Sequence, residues 1–98
     1  MSVYVIGLVT IKDRTKYAIY EQEFREVFDP FGGRILAVED AARVVEGTWP
    51  ATRTVLLQFP DEAIARRWYS SEPYQKLIRL RADAAEASIA ILSGLPAI

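Results

Sequence analysis

The side chains in this chain best equipped for chemistry are its arginines and tyrosines, because it has no histidine and no cysteine. That removes the commonest general base and the thiolate nucleophile together. Any metal would have to be held by carboxylates and other oxygens, which suits magnesium or calcium rather than zinc or iron. No spacing of such groups suggests a site, so no metal and no cofactor is expected. Four arginines stand out: Arg34, Arg53, Arg79 and Arg81. Arg53 and Arg81 sit in apolar stretches, where an idle charge would be costly. A guanidinium beside an aromatic cleft is a natural anchor for a carboxylate or phosphate. The competing reading is structural, with Arg53 paired to Glu46 across neighbouring strands or Arg81 serving a helix C-terminus. Arg34 and Arg53 each open a strand, and the two strands could lie side by side.

The aromatics form the second constellation. Tyr17, Tyr20 and Phe24 recur at helical spacing, and Trp68, Tyr69 and Tyr74 follow on later helical segments. Two helices carrying these rings over a sheet would wall a cleft for a flat or apolar small molecule. The same spacing serves a plain hydrophobic core equally well, with the tyrosine hydroxyls reaching the surface or a carbonyl. A third candidate is Glu46 next to Trp49. Flanked by valines, Glu46 would become a base if burial raised its pKa, or would pair with an arginine. Phosphate loops, dinucleotide glycine fingerprints and the nucleophile elbow are absent. Ser70, Ser71 and Ser88 have no histidine to activate them.

Several elements must position these groups. Val3 to Ile11 is β-branched and apolar almost throughout, with Tyr4, Ile6 and Leu8 on one face and Val3, Val5, Val9 and Ile11 on the other. A strand with one wet face would alternate apolar with polar. From Lys16 the spacing becomes helical: Tyr17, Tyr20, Phe24, Val27 and Phe28 share one side, and Glu21, Glu23, Arg25 and Glu26 the other. Asp13 or Thr15 supplies the cap, and Asp29-Pro30-Phe31-Gly32-Gly33 ends the helix. Arg34–Val38 reads as a strand, Glu39–Ala42 as a turn and Arg43–Glu46 as a second short strand. After a loop, Arg53–Phe59 is a strand apolar on both faces. Asp61 caps a helix whose inner edge is Ile64, Ala65 and Trp68. Pro73 restarts it, with Tyr74, Leu77, Ile78 and Arg81 on one stripe. Ser88–Leu92 is the last strand.

This order predicts an α+β fold: a ferredoxin-like βαββαβ layer with an extra short strand. Both helical segments cross on one sheet face under the usual right-handed rule. The other face is left apolar and uncovered, and the economical cover is a second copy, sheet on sheet.

Composition bounds the rest. With 98 residues, 51% apolar and 26% charged, the chain is one ordinary folded domain, residues 1–98. A net charge of −1 argues against a nucleic-acid partner. The N-terminal apolar run stops at Thr10, too short for a signal peptide. No window approaches the roughly 20 apolar residues of a membrane span. A cytoplasmic protein with no membrane partner is expected.

The sequence Gly32-Gly33-Arg34, then Glu46-Gly47-Thr48-Trp49, Arg53, Phe59-Pro60, Ala65-Arg66, Trp68-Tyr69, Ser71, Tyr74-Gln75 and Leu80-Arg81, resembles the domain-of-unknown-function family 1330 in order and spacing. The resemblance spans nearly the whole chain. It implies a dimeric α/β barrel in which two ferredoxin-like sheets face each other. Related barrels include cofactor-free monooxygenases, lactone isomerases and haem-using enzymes; a histidine-ligated haem is ruled out here by composition.

The functional expectation is a homodimer that binds a small organic acid or aromatic molecule between helices and sheet, extending to cofactor-free catalysis. Its binding residues would be Tyr17, Tyr20, Phe24, Arg53, Trp68, Tyr69, Tyr74 and Arg81. The alternative is a non-catalytic dimeric structural or interaction module in which the aromatics are core and the space beneath the helices is filled.

Overall fold

The computed structural model describes residues 2–96. Strand β1, Val3–Ile11, is the hub of the sheet, because its β-branched side chains suit a pleated surface on both faces. Helix α1, Arg14–Phe28, starts where Asp13 accepts a hydrogen bond from the Lys16 backbone N–H. A single 3₁₀ turn, Asp29–Phe31, closes it on Gly32, whose φ of 71° is a left-handed conformation that glycine adopts without steric penalty. Gly33 is needed for a different reason. A Cβ there would lie 2.6 Å from the Phe28 ring and 2.9 Å from that of Phe59.

Strand β2, Arg34–Glu39, follows, then β3, Arg53–Phe59. Asp61 caps α2, Glu62–Ser70, and Ser71 caps α3, Glu72–Ala84, which carries Pro73 in its first turn. Strand β4, Ala85–Ser93, completes an antiparallel sheet of order β2-β3-β1-β4. These four strands and three helices make a ferredoxin-like α+β layer.

The expected extra strand at Arg43–Glu46 is not formed. A strand needs a neighbour to satisfy its backbone, and this segment has none: Val45 is 99% exposed. Side chains hold the loop down instead. Asp40 binds Arg53, Trp49 Nε1 donates to Thr54 Oγ1 at 2.8 Å, and Thr52 Oγ1 accepts from the Ile11 N–H at 2.9 Å. Strand β4 is longer than Ser88–Leu92 at both ends, because β1 offers partners from Ile11↔Ala85 to Val3↔Ser93.

The register decides which side chains share a face. Val3, Val5 and Val9 are buried under the helices together with Leu57 and Phe59. Their neighbours Tyr4, Ile6, Leu8 and Leu56 project the opposite way and stay half-buried. Ile6 and Leu56 are direct cross-strand partners, and Tyr4 faces Leu92. The helix-side core is strongly aromatic. Trp68 packs at a tilt against Tyr74, ring centroids 4.3 Å apart, and edge-on against Phe28, which in turn meets Phe59 edge-on. Each such ring contributes about 1.5–3 kcal/mol by burial, and each favourable pair adds roughly 0.5–1.5 kcal/mol.

Candidate functional site

Helical periodicity brings the chemistry to one place. Tyr17, Tyr20 and Phe24 project from one face of α1, and Tyr74 and Arg81, seven residues apart, occupy one stripe of α3. Between this aromatic ceiling and the sheet lies a cavity of about 250 Å³. Its floor is aliphatic: Val5 and Val9 of β1, Val55 of β3, Ile35 and Val38 of β2 and Ile89 of β4. The centre of the floor is Gly7, which has no side chain at all.

Arg81 is the unusual member. It is only 8% exposed, and among the described residues no carboxylate pairs with it. Helical side chains lean toward the N-terminus, and Arg81 reaches back two turns to donate from Nη1 to the Tyr74 hydroxyl at 3.2 Å. That hydroxyl is 2.8 Å from the hydroxyl of Tyr20, and the guanidinium carbon lies 5.7 Å from the centre of the Tyr20 ring, within cation–π range. Burial pushes the phenol pKa values of Tyr20 and Tyr74 up from their usual value, so both keep their protons at neutral pH. Arg81 only donates, so the two phenols share a single hydrogen bond between them. Whichever donates it, the other O–H has no acceptor among the described residues. A guanidinium has five N–H donors, and one is used here. The cluster therefore holds a surplus of donors in an apolar cavity.

Arg53 is different. It too lines the cavity, but it is already neutralised by Glu21 of α1 and by Asp40, whose Oδ1 lies 2.5 Å from its Nε, and it rests over the Tyr17 ring at 5.4 Å. The hydrogen bond from Arg53 holds the Asp40 carboxyl below its usual range. The partner expected from sequence, Glu46, is instead exposed in the loop before β3, and the acids that bind Arg53 are Glu21 and Asp40. Arg34 pairs with Gln58, so antiparallel pairing puts it at the opposite end of β3 from Arg53. Arg79 is exposed on α3.

Of the eight residues singled out from sequence, seven line this cavity: Tyr17, Tyr20, Phe24, Arg53, Trp68, Tyr74 and Arg81. Tyr69 does not. It is 40% exposed and lines a neighbouring hollow with Arg66 and Ile91 on the far side of Trp68. Trp68 separates the two spaces, and its buried indole N–H has no hydrogen-bond partner among the described residues. Four aromatic rings besides Tyr74 surround it, and an N–H facing a ring would be partly satisfied.

Sequence reasoning missed three participants. Glu21 was expected on the outer side of α1, yet it reaches Arg53. Asp40 was read as part of a turn. Gly7 carried a usable signal, since a lone glycine in a β-branched strand often marks close approach or missing volume. Among the described residues no cluster of three or more acids or other ligands could hold a metal, and no helix is long and apolar enough to cross a membrane.

The family assignment rests on sequence. The profile of the domain of unknown function DUF1330 matches residues 2–95. The chain belongs to the DUF1330 family. No curated protein matches it significantly in sequence. Solved structures resemble it in fold. A protein of unknown function from Rhodopseudomonas palustris superposes with a TM-score of 0.80 at 16% identity, covering 98% of this chain and 84% of that one. A cofactor-independent oxygenase from Streptomyces nogalater gives 0.64 at 8% identity, covering 99% and 96%. A dimeric ferredoxin-like protein of unknown function from Bacteroides fragilis gives 0.60 at 14% identity, covering 95% and 96%. At these identities the likeness speaks for the fold alone, so function in this DUF1330 chain has to be argued from its own cavity.

Proposed function

We propose that this DUF1330 protein is a homodimer that binds a small organic acid or aromatic molecule in the cavity between helices and sheet. The observation that carries the reading is the donor surplus of Arg81, Tyr20 and Tyr74. A buried guanidinium with no carboxylate partner is costly. An anionic ligand supplies the missing acceptor, and the surrounding rings supply its apolar contacts. Arg53, already held by two acids, shapes the wall and is a secondary contact. The purely structural alternative called for a filled space beneath the helices, and a cavity of about 250 Å³ favours ligand binding over it.

The second copy covers the open sheet face. The half-buried Tyr4, Ile6, Leu8 and Leu56 favour this, as does the dimeric protein of the same fold from Bacteroides fragilis. If catalysis occurs, it proceeds without histidine or cysteine, through stabilisation of a developing oxyanion by the same donors.

Isothermal titration of the purified protein with a panel of aliphatic and aromatic carboxylates tests the binding site. Affinity should fall about tenfold or more in Arg81→Ala, the size expected when a charge-assisted hydrogen bond is removed. Unchanged binding in that variant would remove Arg81 as the anchor.

A further inference from the structure

Resting on that reading, the geometry points to a narrower substrate class: a flat aromatic monocarboxylate of one or two fused rings, its size limited by Gly7. Three observations converge. First, the polar groups are not spread around the cavity. The unpaired donors all come from the helices: the buried cluster of Tyr20, Tyr74 and Arg81, the neighbouring indole N–H of Trp68, and the exposed Arg25 of α1, which has no ion pair among the described residues. The floor is aliphatic and its one charge, Arg53, is already bound by Glu21 and Asp40. The buried cluster can satisfy one acidic group; Arg25 is exposed and solvated, and a second carboxylate buried in the cavity would meet valine and isoleucine or be repelled by Glu21 and Asp40.

Second, the volume is small. A dry cavity of roughly 150 Å³ accommodates one benzene, so about 250 Å³ takes one ring with substituents or two fused rings. The rings of Tyr20, Phe24, Trp68 and Tyr74, packed tilted and edge-on to one another, on one side and aliphatic side chains of the sheet on the other form two apolar walls that favour a planar occupant.

Third, the depth comes from one missing side chain. Gly7 is buried at the middle of the central strand, with an ordinary negative φ, so no turn or left-handed conformation demands glycine there. A Cβ placed on it would meet Val55 and Ile89 at 3.9 Å, an ordinary contact with no clash. A β-branched residue suits a central strand better than glycine does. Folding alone gives no reason for glycine at this position, but space above the floor does. Gly7 thus sets the size of ligand admitted.

The test separates this inference from the reading beneath it. Benzoate, a naphthoate, the matching naphthamide and a naphthalene dicarboxylate are titrated calorimetrically into the wild-type protein and into Gly7→Val. Thermal unfolding and near-UV circular dichroism check that the variant is folded. The wild type should bind both monoacids and prefer the naphthoate, with the amide and the diacid weaker by about tenfold or more, the discrimination expected when a buried charge loses its partner or lacks one. Gly7→Val should keep most of its affinity for benzoate and lose that for the naphthoate by about tenfold or more, as when added methyl groups fill a pocket. Equal binding of monoacid and diacid by the wild type overturns the monoanion claim without reference to any variant. Naphthoate affinity unchanged in a folded Gly7→Val overturns the size limit while acid binding at Arg81 stands. If neither monoacid binds the wild type, the anionic-ligand reading fails and the narrower one with it.

Discussion

Arg81 is a charge whose position is hard to justify by stability. Among the described residues its one hydrogen bond runs to a neutral phenol, and it is desolvated with no acid paired to it. Replacing it with an apolar side chain of similar length should therefore do the fold no harm. We expect Arg81→Met to gain about 1 kcal/mol in urea unfolding while losing ligand, the trade seen when a functional group is removed from a strained site. A loss of stability of similar size would mean that Arg81 is a structural residue. The phenols give a second prediction. Burial raises the pKa of Tyr17, Tyr20 and Tyr74 above the usual 10.0. The folded state then holds protons that the unfolded state has released, so stability present below pH 10 is lost as pH rises beyond it. Chemical denaturation at a series of alkaline pH values should show that decline, and Tyr20→Phe should make it shallower. A flat profile to well above pH 10 would refute the buried-phenol assignment.

Among the elements, the helices and long strands were legible in the sequence because side-chain period and cap residues agreed. Asp13 and Asp61 cap the first two helices, Pro73 opens the third, and Gly32 terminates the first. Within the connection from β2 to β3, the turn after Glu39 and the loop Gly47–Thr52 were legible, but Arg43–Glu46 was not. Arg43-Val44-Val45-Glu46 has strand composition, but composition does not provide a neighbouring strand, and Asp40 is drawn instead to Arg53. The aromatic residues of the cavity could be picked out because they recur at helical spacing, and Arg53 and Arg81 because each is a charge set in an apolar stretch. The pairing of Arg53 depended on which acids the register and the loop would bring near it, which no local pattern encodes. Gly33 marks the tightest point between elements. Its missing Cβ would run into two rings that are each 1% exposed and have nowhere to go. Gly33→Ala should cost about 1–3 kcal/mol, as overpacking of a filled core does, while Gly7→Ala, in ordinary contact only, should cost little. Denaturant midpoints for the pair would show whether the difference is real.

As a whole the molecule is a slab with extents of 42 × 38 × 16 Å, one layer of helices on one layer of sheet. Two layers protect only one face of the sheet, and the uncovered face carries Tyr4, Ile6, Leu8 and Leu56. In the proposed homodimer that face is buried against its own copy. Sedimentation at micromolar concentration should give a dimer, and Ile6→Arg should shift it toward monomer by placing a charge at the middle of the joint. A monomeric wild type would leave the apolar face unexplained and end the sheet-pairing argument.

The strand order β2-β3-β1-β4 also governs how such a chain can reach its native state. The hub strand is the earliest in sequence, yet its two neighbours come late, and Val3 pairs with Ser93. Little of the sheet can close from local hairpins, since β1 must wait for segments fifty and eighty residues further along (roughly, by the register of its ladders). Refolding should accordingly fall in the millisecond-to-second range typical of non-local topologies. On the ribosome, the greasy first strand stays unpaired until most of the chain has been synthesised. Through that interval it is the segment most exposed to mispairing, and the one a chaperone would have most reason to hold.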